Sequence, residues 1–157
     1  MKNKLLQTNK GFTLIELLIV GAIVVLIASF VIGSLSNYRN EQTLRTESLA
    51  VVSIINEARS KTLASFESSV YGVHLEDDSV TLFQGATYSL GDTDNEVHSL
   101  PNNLEIGNIT ISGGDDIIFE RLTGDTSNTG GFDLMLTTDN AKSRTISIIA
   151  NGQINLN

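Results

Sequence analysis

Cysteine is absent from all 157 residues, so no disulfide can close a loop anywhere in the chain. Histidine is nearly absent too: only His74, in an apolar-alternating stretch, and His98, in a segment read as loop ahead of Pro101. A His-based catalytic or zinc centre would need cysteine or acidic partners at ligand spacing, which neither histidine has, and both are expected to be exposed residues without a special role. No nucleophile, base and orienter can be assembled into a triad, so an enzyme is not expected and hydrolysis is the weakest of the functional classes. Positive charge is scarce as well. The chain has 10 Lys and Arg against 18 Asp and Glu, a formal charge of −8, and three of its lysines, Lys2, Lys4 and Lys10, fall in the first ten residues, which leaves the remainder at −11. Such a body repels phosphate backbones, and no nucleic-acid partner is expected. Proline and glycine are both missing from residues 34 to 68, so nothing in that stretch interrupts a helix.

What is present begins at Gly11-Phe12-Thr13-Leu14-Ile15-Glu16 and continues as an apolar run without another charge to Leu35. The 24 residues from Phe12 to Leu35 would make about 36 Å of helix, enough to cross a hydrocarbon core. A secretory signal would be shorter, would end in a small-residue cleavage site and would not carry a carboxylate near its start. Glu16 is therefore the residue to explain: in the first helical turn it suits the positive end of the helix dipole, and a chain cut after Gly11 would place a new α-amine one turn away as its counter-charge. Lysines before the run and acids after it predict an N-terminus held in the cytoplasm and an exported C-terminal body.

Lys10-Gly11-Phe12-Thr13-Leu14-Ile15-Glu16-Leu17-Leu18 resembles the class III signal of type IV prepilins and type II secretion pseudopilins. The resemblance implies a prepilin peptidase that cuts after Gly11 and methylates Phe12, with Glu16 guiding assembly among other pilin or pseudopilin subunits. It implies residence in the cytoplasmic membrane, then in a pilus or pseudopilus. Many type IV pilins close a C-terminal loop with a disulfide, from which this cysteine-free chain departs.

Four segments follow: a leader at 1–11, a membrane or filament-core helix at 12–35, an amphipathic continuation at 36–68, and an antiparallel β domain at 69–157, an α+β fold. Along the second helical half Leu44, Val51, Ile55, Ala58, Thr62 and Phe66 line one face, with Glu57 and Lys61 paired at i,i+4 on the other. The helix is expected to end near Phe66. Beyond Ser68-Ser69 the period becomes two. Tyr71 to Leu75 and Val80 to Phe83 read as a hairpin turning at Glu76-Asp77-Asp78-Ser79, with further strands at 86–90, 103–111, 116–121, 132–138 and 143–150 and a tight turn at Asn151-Gly152.

Three loose motifs resemble the H-type, GspH/FimT-like branch of minor pilins: Asn56-Glu57-Ala58-Arg59-Ser60-Lys61-Thr62, Tyr71-Gly72-Val73, and Thr145-Ile146-Ser147-Ile148 before Asn151-Gly152-Gln153-Ile154. Some members of that branch bind DNA through a basic tail, whereas residues 152–157 here hold no Lys or Arg. The alternatives within reach are a major pilin and a single-pass anchored binding domain that never polymerises. No cofactor is expected. The most metal-like stretch is Asp92-Thr93-Asp94-Asn95-Glu96, where alternate carboxylates Asp92, Asp94 and Glu96 are weak calcium candidates; the Glu an EF-hand needs at its twelfth position is Asn103, so a solvated acidic loop is the expectation.

Overall fold

The computed structural model describes residues 11–157, with the side chains of 30–34, 36 and 37 outside the description. The lysine-bearing leader up to Lys10 therefore lies outside the described residues. The chain divides into two compact units, one through Tyr38 and one from Arg39 to Asn157.

Helix α1 spans Leu14–Leu63 and belongs to both. Its start has a local cause. Thr13 and Glu16 form a capping box, in which the Thr13 hydroxyl accepts from the Glu16 amide at 3.3 Å and the Glu16 carboxylate accepts from the Thr13 amide at 3.5 Å. Within the first unit, Leu14, Ile15, Leu17, Leu18, Val25 and their apolar neighbours through Ile27 are all exposed. No helix of the described residues is long and apolar enough to cross a membrane.

In the second unit α1 buries Leu44, Ser48, Val51, Ile55, Ala58 and Thr62, a stripe stepping by four and three. Five of these six were legible as the inward face. Ser48 is polar, but its hydroxyl donates to the Leu44 carbonyl at 2.6 Å and so enters the core satisfied. Phe66 does not continue the stripe. The helix stops at Leu63 because Ser65 turns left-handed (φ 48°), Glu67 and Ser68 repeat that sign (φ 49° and 57°), and Phe66, in the 3-10 turn Phe66–Ser68, is left 52 % exposed.

Eight strands follow: β1 Tyr71–Glu76, β2 Ser79–Gln84, β3 Glu96–Ser99, β4 Leu104–Gly107, β5 Asp116–Ile118, β6 Gly130–Leu136, β7 Asp139–Ile148 and β8 Ile154–Leu156. They form two four-stranded antiparallel sheets, ordered β3-β2-β1-β5 and β4-β6-β7-β8. The α+β class is as expected, with the β domain resolved into two sheets. Val73, Leu75, Val80, Leu82 and Ile117 from one sheet, and Ile106, Phe132, Leu134, Ile146 and Ile148 from the other, join the α1 stripe in a single core. Each such side chain, removed from water, contributes about 1.5–3 kcal/mol.

The β1–β2 hairpin turns at Asp77-Asp78 as expected. The stretch 86–90 is not a strand. Gly85 (φ 113°) ends β2, and the chain folds back so that the Tyr88 ring stacks on His74 at 3.9 Å. The third strand is Glu96–Ser99 instead, which places His98 on a strand paired with β2, not in a loop. The β6–β7 turn falls at 137–138, so the polar residues Asp139 to Lys142 are strand, not turn. Gly72 admits no side chain: a Cβ there would stand 2.5 Å from the Phe83 ring and 2.9 Å from the Ile117 carbonyl.

Candidate functional site

Gly11, Phe12 and Thr13 precede the first helical turn in non-helical conformation, all exposed, and Phe12 is 86 % accessible. The Gly11–Phe12 peptide bond thus lies two residues ahead of the α1 start, in exposed non-helical chain. Glu16 sits at the third position of the helix, exposed, with its carboxylate turned back toward the amide of Thr13. That orientation points a negative charge at the end of α1 where unsatisfied N–H groups accumulate. Gly11 and Phe12 stand five and four residues before Glu16, ahead of the helix.

The other residues singled out in the sequence are placed differently. His74 and His98 are not free surface groups. His74 Nδ1 lies 2.6 Å from Asp116 Oδ1, with Glu76 at 3.9 Å, and His98 Nε2 lies 2.9 Å from Glu47 Oε2, tying β3 to α1. Strand pairing is what sequence spacing could not supply, since His74 and Asp116 are set side by side by the β1–β5 register. Asp92, Asp94 and Glu96 do not converge. Asp92 accepts from the Asp94 amide at 3.2 Å and caps its own turn, while Glu96 pairs with Lys61 at 2.9 Å. Among the described residues no group of three or more His, Cys, Asp or Glu could hold a metal ion.

Lys61 also binds Glu57 at 2.9 Å, the pair read from helical spacing, and its ammonium lies 5.6 Å from the centre of the Tyr71 ring. Burial works against the Lys61 charge, but the hydrogen-bonded carboxylates of Glu96 and Glu57 outweigh it and hold its pKa above the ordinary 10.5. Burial, helped by the charge of Glu67, likewise raises Tyr71 above 10.0.

The three motif segments converge where α1 ends. Arg59 donates to the carbonyls of Gly124 at 3.0 Å and Asn151 at 3.1 Å; the Tyr71 amide donates to the Thr62 hydroxyl at 2.8 Å. Gly152 (φ 73°) fits beneath this clasp only without a side chain, because a Cβ would collide with the Gly124 carbonyl and stand 2.6 Å from Arg59 Nε. These residues were quoted in the sequence as motifs without a mechanism. They lock the end of α1 to β1 and to the β7–β8 turn.

No family model matches the chain, and no curated protein does. Among solved structures, the crystal structure of the type IV minor pilin FimU of Pseudomonas aeruginosa is similar, with a TM-score of 0.57 over 73 % of this chain and 92 % of that one, at 14 % identity. The chain has a type IV minor pilin-like fold. At that identity the likeness is one of architecture, an N-terminal helix packed on antiparallel sheet, as the helical stripe and the alternating strand segments predicted.

Proposed function

We propose that this chain is a minor pilin or pseudopilin, matured by a prepilin peptidase between Gly11 and Phe12, methylated at Phe12, held in the cytoplasmic membrane by its apolar run, and then assembled through that run into a type IV pilus or type II secretion pseudopilus. The observation that carries the proposal is the combination of a pilin-like fold with an exposed Gly11–Phe12 junction four residues before Glu16. The exposed apolar side chains from Phe12 to Ile27 support it. An apolar surface of that extent is not left to water in a folded protein, and lipid before assembly and neighbouring helices afterwards would both cover it. An exposed carboxylate in the first turn would then enter the filament core beside the new α-amine, each offsetting the cost of burying the other.

The test is incorporation. In cells that make the cognate filament, sheared fibres should contain the chain, and they should lack it when the prepilin peptidase is deleted. A chain that stays in the membrane fraction in both strains would contradict assembly and leave an anchored binding domain.

A further inference from the structure

Tyr71 carries a polar group that the fold does not use. Its backbone is bonded to Thr62 and the residue is only 4 % exposed, yet its hydroxyl makes no hydrogen bond among the described residues. Nor is that hydroxyl sealed from solvent, because the one sequestered side-chain polar atom without a partner among the described residues is Thr81 Oγ1. The small accessible part of Tyr71 therefore includes the hydroxyl. It opens on a pocket of about 260 Å³ that Tyr71 lines together with Lys61, Phe66, Glu67, Asp94 and Glu96. The charges of that lining reach the hydroxyl: burial raises its pKa first, then the Glu67 carboxylate, with Lys61 opposing and Asp94 and Glu96 adding to the rise.

Aromatic rings and carboxylates make the walls. The left-handed turn at Ser65, Glu67 and Ser68 leaves Phe66 52 % exposed, and its ring stands 6.2 Å from that of Tyr71 at a tilt of 48°. The lining has three carboxylates, Glu67, Asp94 and Glu96, against the single ammonium of Lys61, a net charge of −2. Glu96 is taken by Lys61, which Glu57 also holds. The carboxylates of Glu67 and Asp94 have neither an ion pair nor a hydrogen bond among the described residues. The Tyr71 ring already attracts one cation, since the Lys61 ammonium lies 5.6 Å from its centre. What stays unpartnered is a phenol oxygen, two carboxylates and an exposed aromatic ring, all of which favour N–H donors and positive charge.

We propose that this pocket is a binding site for a guanidinium group, with Glu67 and Asp94 as its carboxylate acceptors, the Tyr71 hydroxyl as a third acceptor and the Phe66 ring as its stacking face. Guanidinium suits the set because it is flat, permanently charged, has five N–H donors and no acceptor, and lies well on aromatic rings. A metal ion would need three or more ligands gathered about one point, which no group of the described residues provides. The guanidinium is that of an arginine, free or carried by a protein chain. A body with a formal charge of −10 from Arg39 to Asn157 draws either one toward it. The site rests on the body alone and does not require filament assembly.

The full chain, carbon-13 labelled at its three tyrosines, is held in uncharged detergent micelles, and Tyr71→Phe assigns the Tyr71 ring signal in the magnetic resonance spectrum. N-acetyl-arginine amide is then added at low salt. The Tyr71 signal should shift saturably, whereas N-acetyl-citrulline amide, of the same shape without the charge, should not shift it saturably. Glu67→Gln/Asp94→Asn should weaken the response about tenfold or more, because two charge-assisted bonds are lost. Glu67→Asp/Asp94→Glu keeps both charges and should retain it. Both pairs should melt like the parent, since the two side chains are exposed. A Tyr71 shift that grows with protein concentration without additive, and that Glu67→Gln/Asp94→Asn abolishes, would place the arginine on a second copy and uphold the site. Equal saturation by the citrulline compound would overturn the proposal. So would a Tyr71 signal that stays fixed across the protein series and up to about 10 mM arginine compound, where a site with a Kd of about 1 mM would be mostly filled.

Discussion

Thr62 near the end of α1 and Tyr71 at the start of β1 are joined twice: the Tyr71 amide donates to the Thr62 hydroxyl at 2.8 Å, and that hydroxyl donates to the Tyr71 carbonyl at 3.3 Å. A helix side chain thereby does for the strand what a neighbouring strand would do. Thr62 is fully buried and Tyr71 nearly so, which means that water cannot replace either bond. Thr62→Val, of the same shape, should leave the Tyr71 amide unpaired and its carbonyl with only the Phe119 amide at 3.4 Å, and destabilise the body by about 1–3 kcal/mol, with Thr62→Ser close to the parent. Urea unfolding of the detergent-solubilised chain measures this, and a Val variant as stable as the parent would mean that the pair is not sequestered.

Stability should fall in alkali. The pKa of Lys61 is raised by Glu96 and Glu57 over the opposing effect of burial, and that of Tyr71 is raised by burial. A group with a raised folded pKa contributes stability that is complete below its unfolded value and lost as pH rises through the folded one. The loss should therefore begin near the ordinary values of 10.0 for Tyr71 and 10.5 for Lys61, and not in the neutral range. Melting temperatures from pH 8 to 11.5 should be flat and then drop, with a smaller drop in Tyr71→Phe.

Gly72→Ala should be destabilising although alanine is otherwise the mildest of replacements. Its methyl group would meet the Phe83 ring and the Ile117 carbonyl, and the carbonyl belongs to the paired strand β5 and cannot withdraw. A cost of about 1–3 kcal/mol is expected from overpacking. Adding Phe83→Leu should recover part of it, and no recovery would place the strain at the backbone.

Glu16 caps α1 with Thr13, and the proposed function gives its charge a second, separable role. Glutamine can still accept from the Thr13 amide, so Glu16→Gln keeps the capping box and removes the charge, while Glu16→Ala removes both. If the charge guides assembly, both variants insert into the membrane in normal amount and both are lost from sheared filaments. Normal incorporation of the Gln variant would assign Glu16 to capping alone.

Much of this was written in residue spacing. The buried stripe of α1 repeats by three and four and could be read directly, except at Ser48, whose bond to the Leu44 carbonyl is invisible to hydropathy. The overrun to Phe66 has a physical cause: left-handed Ser65, Glu67 and Ser68 end the helix without the Gly or Asn that usually signals such a turn. Strand β3 was missed because Glu96-Val97-His98-Ser99 is largely exposed and is held by pairing to β2, while Tyr88 looked like strand but is a ring folded onto His74. At the N-terminal junction Gly11, Phe12 and Glu16 were read from the local sequence, and the structure adds the capping box between Thr13 and Glu16. The clasp of Arg59 was not, because its carbonyl partners lie 65 and 92 residues away.

The proposal that this chain is a processed filament subunit meets its most direct test in intact-mass analysis of the protein recovered from membranes of cells that contain a prepilin peptidase. The expected product begins at Phe12, lacks Met1 to Gly11 and carries one added methyl group on its terminal amine. A full-length chain that retains Lys2, Lys4 and Lys10 in those membranes would contradict it.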